Sequence, residues 1–82
     1  MSKFSAVENE FHNGFQMKFE NGWTISVQFG RGNYNDKDNS TAEIAIWDGE
    51  GNWYDFPEDG QQVKGWVNAN EVADWIHRVS KW

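Results

Sequence analysis

The stretch from Phe15 to Phe29, FQMKFENGWTISVQF, decides the fold. Phe15, Met17 and Phe19 alternate with Gln16, Lys18 and Glu20. Beyond a turn, Trp23, Ile25, Val27 and Phe29 alternate with Thr24, Ser26 and Gln28. A period of two on both sides of an Asn-Gly pair predicts a β-hairpin with one apolar and one polar face. The same pattern selects the turn. A two-residue Asn21-Gly22 loop would pair Phe19 with Thr24 and Lys18 with Ile25, mixing the faces. A three-residue loop, Glu20-Asn21-Gly22 with Gly22 left-handed, pairs Phe19 with Trp23, Met17 with Ile25 and Phe15 with Val27. Every apolar side chain then falls on one side, which favours a type I turn with a bulge.

Upstream, residues 1–13 read as an irregular arm that lays Phe4 and Phe11 on the core, with the strand beginning near Gly14. Ser5 and Glu8 have capping-box spacing, which also allows a short helical turn there. Downstream, Gly30 to Ser40 runs without an apolar aliphatic residue. Loops of that length in so small a chain are functional or mobile. TAEIAIWD (41–48) and WYDF (53–56) form a second hairpin by the same three-residue logic, with Gly51 left-handed. That register pairs Ile46 with Tyr54 and Ile44 with Phe56 on the core face, and sets Trp47 against Trp53 on the other. Pro57 ends the strand, since it cannot donate to a ladder. Glu58 to Gly65 is a polar turn region, with Val63 adding a short edge strand.

A C-terminal helix over 68–81 is well signalled. Asn68 is its N-cap, Glu71 completes a capping box, and Val67 and Val72 occupy the staple positions. Val72, Trp75, Ile76 and Val79 form one apolar stripe. Acidic residues lie toward the start and basic ones toward the end, as the macrodipole favours. Trp66 and Trp82 bracket the helix as clamps. The expected architecture is α+β: an antiparallel sheet of four to five strands, built from two consecutive hairpins, with one C-terminal helix packed on it. It forms a single domain over 1–82, with an arm at 1–13, hairpins at 14–57 and the helix at 68–81.

With 82 residues and no Cys, neither disulfides nor thiolate metal sites hold the chain together. Packing must, and six Trp and six Phe supply the area. No apolar run resembles a signal peptide or a transmembrane span, so a soluble, intracellular protein is expected. The net charge of −6 is concentrated. Asp36, Asp38, Glu43, Asp48, Glu50, Asp55, Glu58 and Asp59 face only Lys37 within residues 36–59, a local balance of −7. No segment offers the basic patch that duplex nucleic acid or an anionic membrane requires. A basic partner surface fits this acidity, and so does plain solubility.

Catalytic signatures are absent from the sequence. His12 and His77 have no neighbouring motif that makes either a general base, and both read as solvated. Asp48, Glu50 and Asn52 echo the opening of a calcium loop, but Trp53 stands where the turning Gly belongs, and a hairpin turn explains the same residues. The chain reads as a non-enzyme without metal or cofactor. Two binding surfaces stand out instead. One is the acidic second hairpin with Trp47, Trp53, Asp48, Glu50 and Asp55. The other is the loop from Gly30 to Asn35. There Arg31 offers a fork to phosphate, Gly32 permits close backbone approach, Asn33 and Asn35 carry amides, and Tyr34 offers a stacking face.

The runs Gly14-Phe15-Gln16-Met17, Phe19-Glu20-Asn21-Gly22, Ser26-Val27-Gln28-Phe29-Gly30 and Gly32-Asn33-Tyr34, with Trp47-Asp48, Gly51-Asn52-Trp53-Tyr54 and Asn70-Glu71-Val72-Ala73, resemble a group of small proteins encoded by bacteriophages and prophages. The resemblance spans roughly residues 14–80. Members often carry a Cys after the Asn-Tyr pair, where this chain has Asn35, so thiol chemistry is not expected. The group has no assigned activity. The resemblance implies an accessory factor of the host cytoplasm, of the takeover or anti-defence type, that acts by occupying a host protein through the acidic, Trp-bearing hairpin. A nucleotide-type signal molecule held by the Gly30–Asn35 loop, in an oligomer, is the alternative. A structural or assembly protein with an aromatic homo-oligomer interface is the third reading.

Overall fold

A computed structural model of the chain describes residues 2–8, 12–30 and 41–82. Among the described residues five strands, β1 (Lys3–Glu8), β2 (His12–Lys18), β3 (Thr24–Gly30), β4 (Thr41–Trp47) and β5 (Lys64–Asn68), precede one helix, α1 (Ala69–Ser80). They form one antiparallel sheet in chain order, β1-β2-β3-β4-β5. The α+β class expected from the sequence holds.

The β2–β3 hairpin has the register that segregates its faces. Phe15 opposes Val27 and Met17 opposes Ile25. The Phe19 N–H donates to the Trp23 carbonyl at 2.8 Å, the Gly22 N–H donates to the Phe19 carbonyl at 3.0 Å, and Gly22 has φ +92°. Only glycine adopts that angle without strain. β4 continues the ladder, with Ile46 and Ile44 opposite Ile25 and Val27. The core is Ile25, Val27, Ala42, Ile44, Ile46, Phe56, Val67, Trp75 and Val79, all buried between the sheet and α1. Helix formation follows the capping signal: Asn68 Oδ1 accepts from the Glu71 N–H at 2.9 Å, and Glu71 reaches back to the Asn68 N–H. The stripe of Trp75 and Val79 faces inward, and the Trp75 indole meets Phe56 edge-on at 5.1 Å.

Several sequence expectations need correction. Residues 3–8 are a regular strand rather than an irregular arm, paired with β2 from Lys3↔Lys18 to Glu8↔Asn13. Phe4 does not reach the core: it is 73 % exposed, because α1 lies over β3, β4 and β5 and leaves β1 uncovered. Phe11 is outside the described residues.

The second hairpin closes as expected but does not extend. Gly51 has φ +86°, the Asp48 N–H donates to the Asn52 carbonyl, Trp47 bridges Trp53, and the Tyr54 N–H donates to the Ile46 carbonyl. There the pairing stops. Phe56 turns into its own loop, donating to the Gln61 carbonyl and accepting from the Gly60 N–H, and inserts its ring into the core. The expected Ile44–Phe56 pair therefore does not form. Ile44 pairs with Lys64, so the fifth strand is Lys64–Asn68, with Val63 outside it. Pro57, which has no N–H to offer a ladder, sits at the point of departure.

Of the two expected clamps, Trp82 acts as one, with its ring 4.9 Å from Trp23 and 5.0 Å from Tyr54. Trp66 does not. It is 58 % exposed and sits with φ +58° at a register shift, where β5 spends one more residue than β4 between Ala42 and Ile44.

Candidate protein-binding face

The sheet has two unlike faces. α1 covers the one that carries Ile25, Val27, Ile44 and Ile46. The other follows from the same register: Gln16 opposes Ser26, Ser26 opposes Ala45, Gln28 opposes Glu43, and Thr24 opposes Trp47. No described element lies across it. Ser26 and Ala45 are nevertheless buried, because the longer side chains around them rise above the floor they form. The result is a depression of about 330 Å³, lined by Gln16, Ser26, Gln28, Glu43, Trp47 and Trp53 among others. Gln28 Nε2 donates to Ser26 Oγ at 2.8 Å, which satisfies the buried hydroxyl.

Trp47 and Trp53 form one wall. Their rings stack at 5.2 Å between centroids with 28° between planes. The bridge between these two residues sets that geometry, and the Gly49-Glu50-Gly51 turn sets the bridge. Trp53 remains 45 % exposed. An indole pair presented to solvent on an uncovered sheet face is an aromatic surface available to a partner.

The acidic residues of the hairpin divide by role. Asp48 is committed to the turn: Oδ1 accepts from the N–H groups of Glu50 and Asn52, both at 2.9 Å, and Oδ2 from the Asn52 side-chain amide at 3.2 Å. These donors, the Asn52 N–H foremost, hold its carboxyl below the usual Asp range, so it stays anionic. Glu50 and Asp55 are exposed and form no part of the depression's lining. Glu43, on its rim, is the acidic residue the sequence did not single out. Its signal lay in the alternation of β4, which sets Glu43, Ala45 and Trp47 on one side. Arg31, Gly32, Asn33, Tyr34 and Asn35 lie outside the described residues, and of that loop only the backbone of Gly30 is described, at the end of β3.

A second recess, of about 310 Å³, opens on the helix side between α1 and the β2–β3 pair. Phe15, Phe29, Val72 and Ile76 wall it, and the small Ala69 and Ala73 leave the space. Among the described residues no group of three or more His, Cys, Asp or Glu side chains gathers to hold a metal. Nor is any helix among the described residues long and apolar enough to cross a membrane. Compared with known protein families, curated proteins and solved structures, the chain matches none.

Proposed function

We propose that this chain is a non-enzymatic binding protein whose uncovered sheet face docks a partner protein with a basic surface. One observation carries the reading: the stacked Trp47–Trp53 pair beside the depression floored by Ser26 and Ala45. Tryptophan dominates the energetics of protein interfaces because one rigid side chain buries a large area at low entropic cost. The −7 balance of residues 36–59 supports the charge of the partner, through attraction that speeds encounter and disfavours acidic competitors. With the resemblance to phage-encoded proteins, the partner is a host protein, and occupying it is the activity.

The test is recovery of partners from bacterial lysate by wild type, Trp53→Ala and the Trp47→Ala, Trp53→Ala double variant. The expected result is a partner held by wild type, weakened by added salt and lost with the double variant. Trp53→Ala removes an exposed ring, so folding survives and the loss reports on binding. Equal recovery of every partner by all three proteins would exclude this face.

A further inference from the structure

The two edges of the sheet are built differently. β5 is blunted: it is five residues long, shifts register opposite Ala42 and Ile44, carries the left-handed Trp66 and runs directly into α1. Bulges and short strands of this kind discourage another strand from adding. β1 has none of these protections. Its six residues, KFSAVE, hold an unbroken register with β2, contain neither Pro nor Gly, and carry charge only at the ends, on Lys3 and Glu8. All but Val7 are exposed. Phe4 exposes the largest fraction of any big apolar residue described, 73 %. A straight, apolar, uncovered edge is a template for pairing.

We propose that β1 is the interface of a symmetric dimer, in which the first strands of two copies pair antiparallel about a two-fold axis at Ser5 and join two five-stranded sheets into one. The residues fix the axis. Two identical antiparallel strands share a sheet only through a two-fold normal to it, so each strand crosses the axis at a residue and opposed side chains share a face. Phe4 and Ala6 lie on the core side, opposite Met17 and Phe15, while Ser5 lies on the other side, opposite Gln16. With the axis at Ser5, Phe4 faces the partner's Ala6, and the same large-to-small pair recurs across the axis. An axis at Ala6 would set Phe4 against the carboxylate of the partner's Glu8. An axis at Phe4 would oppose two phenyl rings and leave Ala6, Val7 and Glu8 unpaired by β1. A second copy fits because the strand complements itself: it offers Phe4 and, two residues on, the space above Ala6. The surface is distinct from the Trp47–Trp53 face and does not depend on it.

Sedimentation equilibrium of the full chain across micromolar to millimolar concentration should approach twice the chain mass of 9.6 kDa. Ser5→Lys places two ammonium groups opposite each other and should weaken association by roughly tenfold or more, with the circular dichroism spectrum unchanged and the urea midpoint unchanged at concentrations where wild type is a single chain. Because the chain lacks Cys, single-cysteine variants read the register directly. In Ser5→Cys the two α-carbons lie ~5 Å apart, within disulfide reach. In Glu8→Cys they are six residues apart along the strands, ~20 Å. Mild oxidation should cross-link Ser5→Cys and leave Glu8→Cys monomeric. A single-chain mass at every concentration, as expected if β1 instead accepts a peptide of another protein, would overturn the proposal. So would a dimer indifferent to Ser5→Lys, or cross-linking of equal yield at the two positions.

Discussion

The side chain of Asn21, at the tip of the first hairpin, donates from Nδ2 to the main-chain carbonyl of Val79 at 2.8 Å, near the end of α1 and 58 positions away in the chain. Its Oδ1 accepts from the Trp23 N–H at 3.0 Å, and Nδ2 also reaches the Trp82 oxygen at 3.3 Å. One amide therefore shapes the turn and gives the Val79 carbonyl a second donor beside the Trp82 N–H, which reaches it at 3.2 Å. Beside it, Trp82 packs edge-on against Trp23. The hairpin and the helix are latched at this corner.

Replacing Asn21 with Ala should destabilise the chain by about 1 kcal/mol, since the Val79 carbonyl loses one of its two donors and the Trp23 N–H loses its acceptor. Asn21→Asp should cost more, because a carboxylate would then face the negative end of the helix dipole. Urea denaturation of both variants measures this. Equal stability of Asp and Ala variants would show that the amide donor and the dipole do not matter at this corner.

Glycine positions separate two kinds of cost. At Gly22 and Gly51 an added Cβ meets nothing within 4 Å, so Ala there is penalised only by the left-handed backbone, about 1 kcal/mol each. At Gly14 the added Cβ would stand 2.0 Å from the Val27 carbonyl oxygen, a main-chain atom that cannot swing aside. Gly14→Ala should therefore be the most damaging of the three by denaturant midpoint.

Trp66 reverses that logic. It holds φ +58° with most of its surface in water. Trp66→Gly relieves a strain of about 1–2 kcal/mol, which offsets the burial given up by a side chain already 58 % exposed. The variant should be at least as stable as wild type in thermal denaturation. A clear loss of stability would mean that the indole contributes packing that outweighs the strained backbone.

In the core, Trp75→Ala should cost about 3–5 kcal/mol, because the ring is buried against Phe56 and receives Arg78 over its face at 4.8 Å. Ile76, only partly buried at the edge of the helix-side recess, should cost less when truncated. Chemical denaturation ranks the two.

Asp48 gives the chain a defined acid sensitivity. Its folded-state pKa is depressed below the ordinary 3.8 by turn N–H donors, so its contribution is complete above that value. It is lost as pH falls through the lower, folded-state value, where the carboxyl takes up a proton. Asp48→Ala should therefore be less stable than wild type at neutral pH, and the gap should narrow below about pH 4. A gap that stays constant with pH would assign the turn's stability to other groups.

The local rules of the chain were legible in its residues. Alternation from Phe15 to Phe29 and the two glycines set both turns and the register of the first hairpin, because a one-residue slip would reverse every side chain. The Asn68–Glu71 box and the Trp75 and Val79 stripe set the helix for the same reason: capping and periodicity act within a few residues. The same alternation put Trp47 and Trp53 on the side away from the core. The remaining features depend on which distant segments compete for one surface. Lys3 to Glu8 became a strand because the outer side of β2 had no other partner. Phe56 left the ladder for the core, and Lys64–Asn68 took the edge of β4 that it vacated. The depression by the tryptophans joins Gln16, Ser26, Glu43 and Trp53 from separate stretches. Neither the latch from Asn21 to Val79 nor that depression has a local signature, because each exists only once the helix has packed and the strands are side by side.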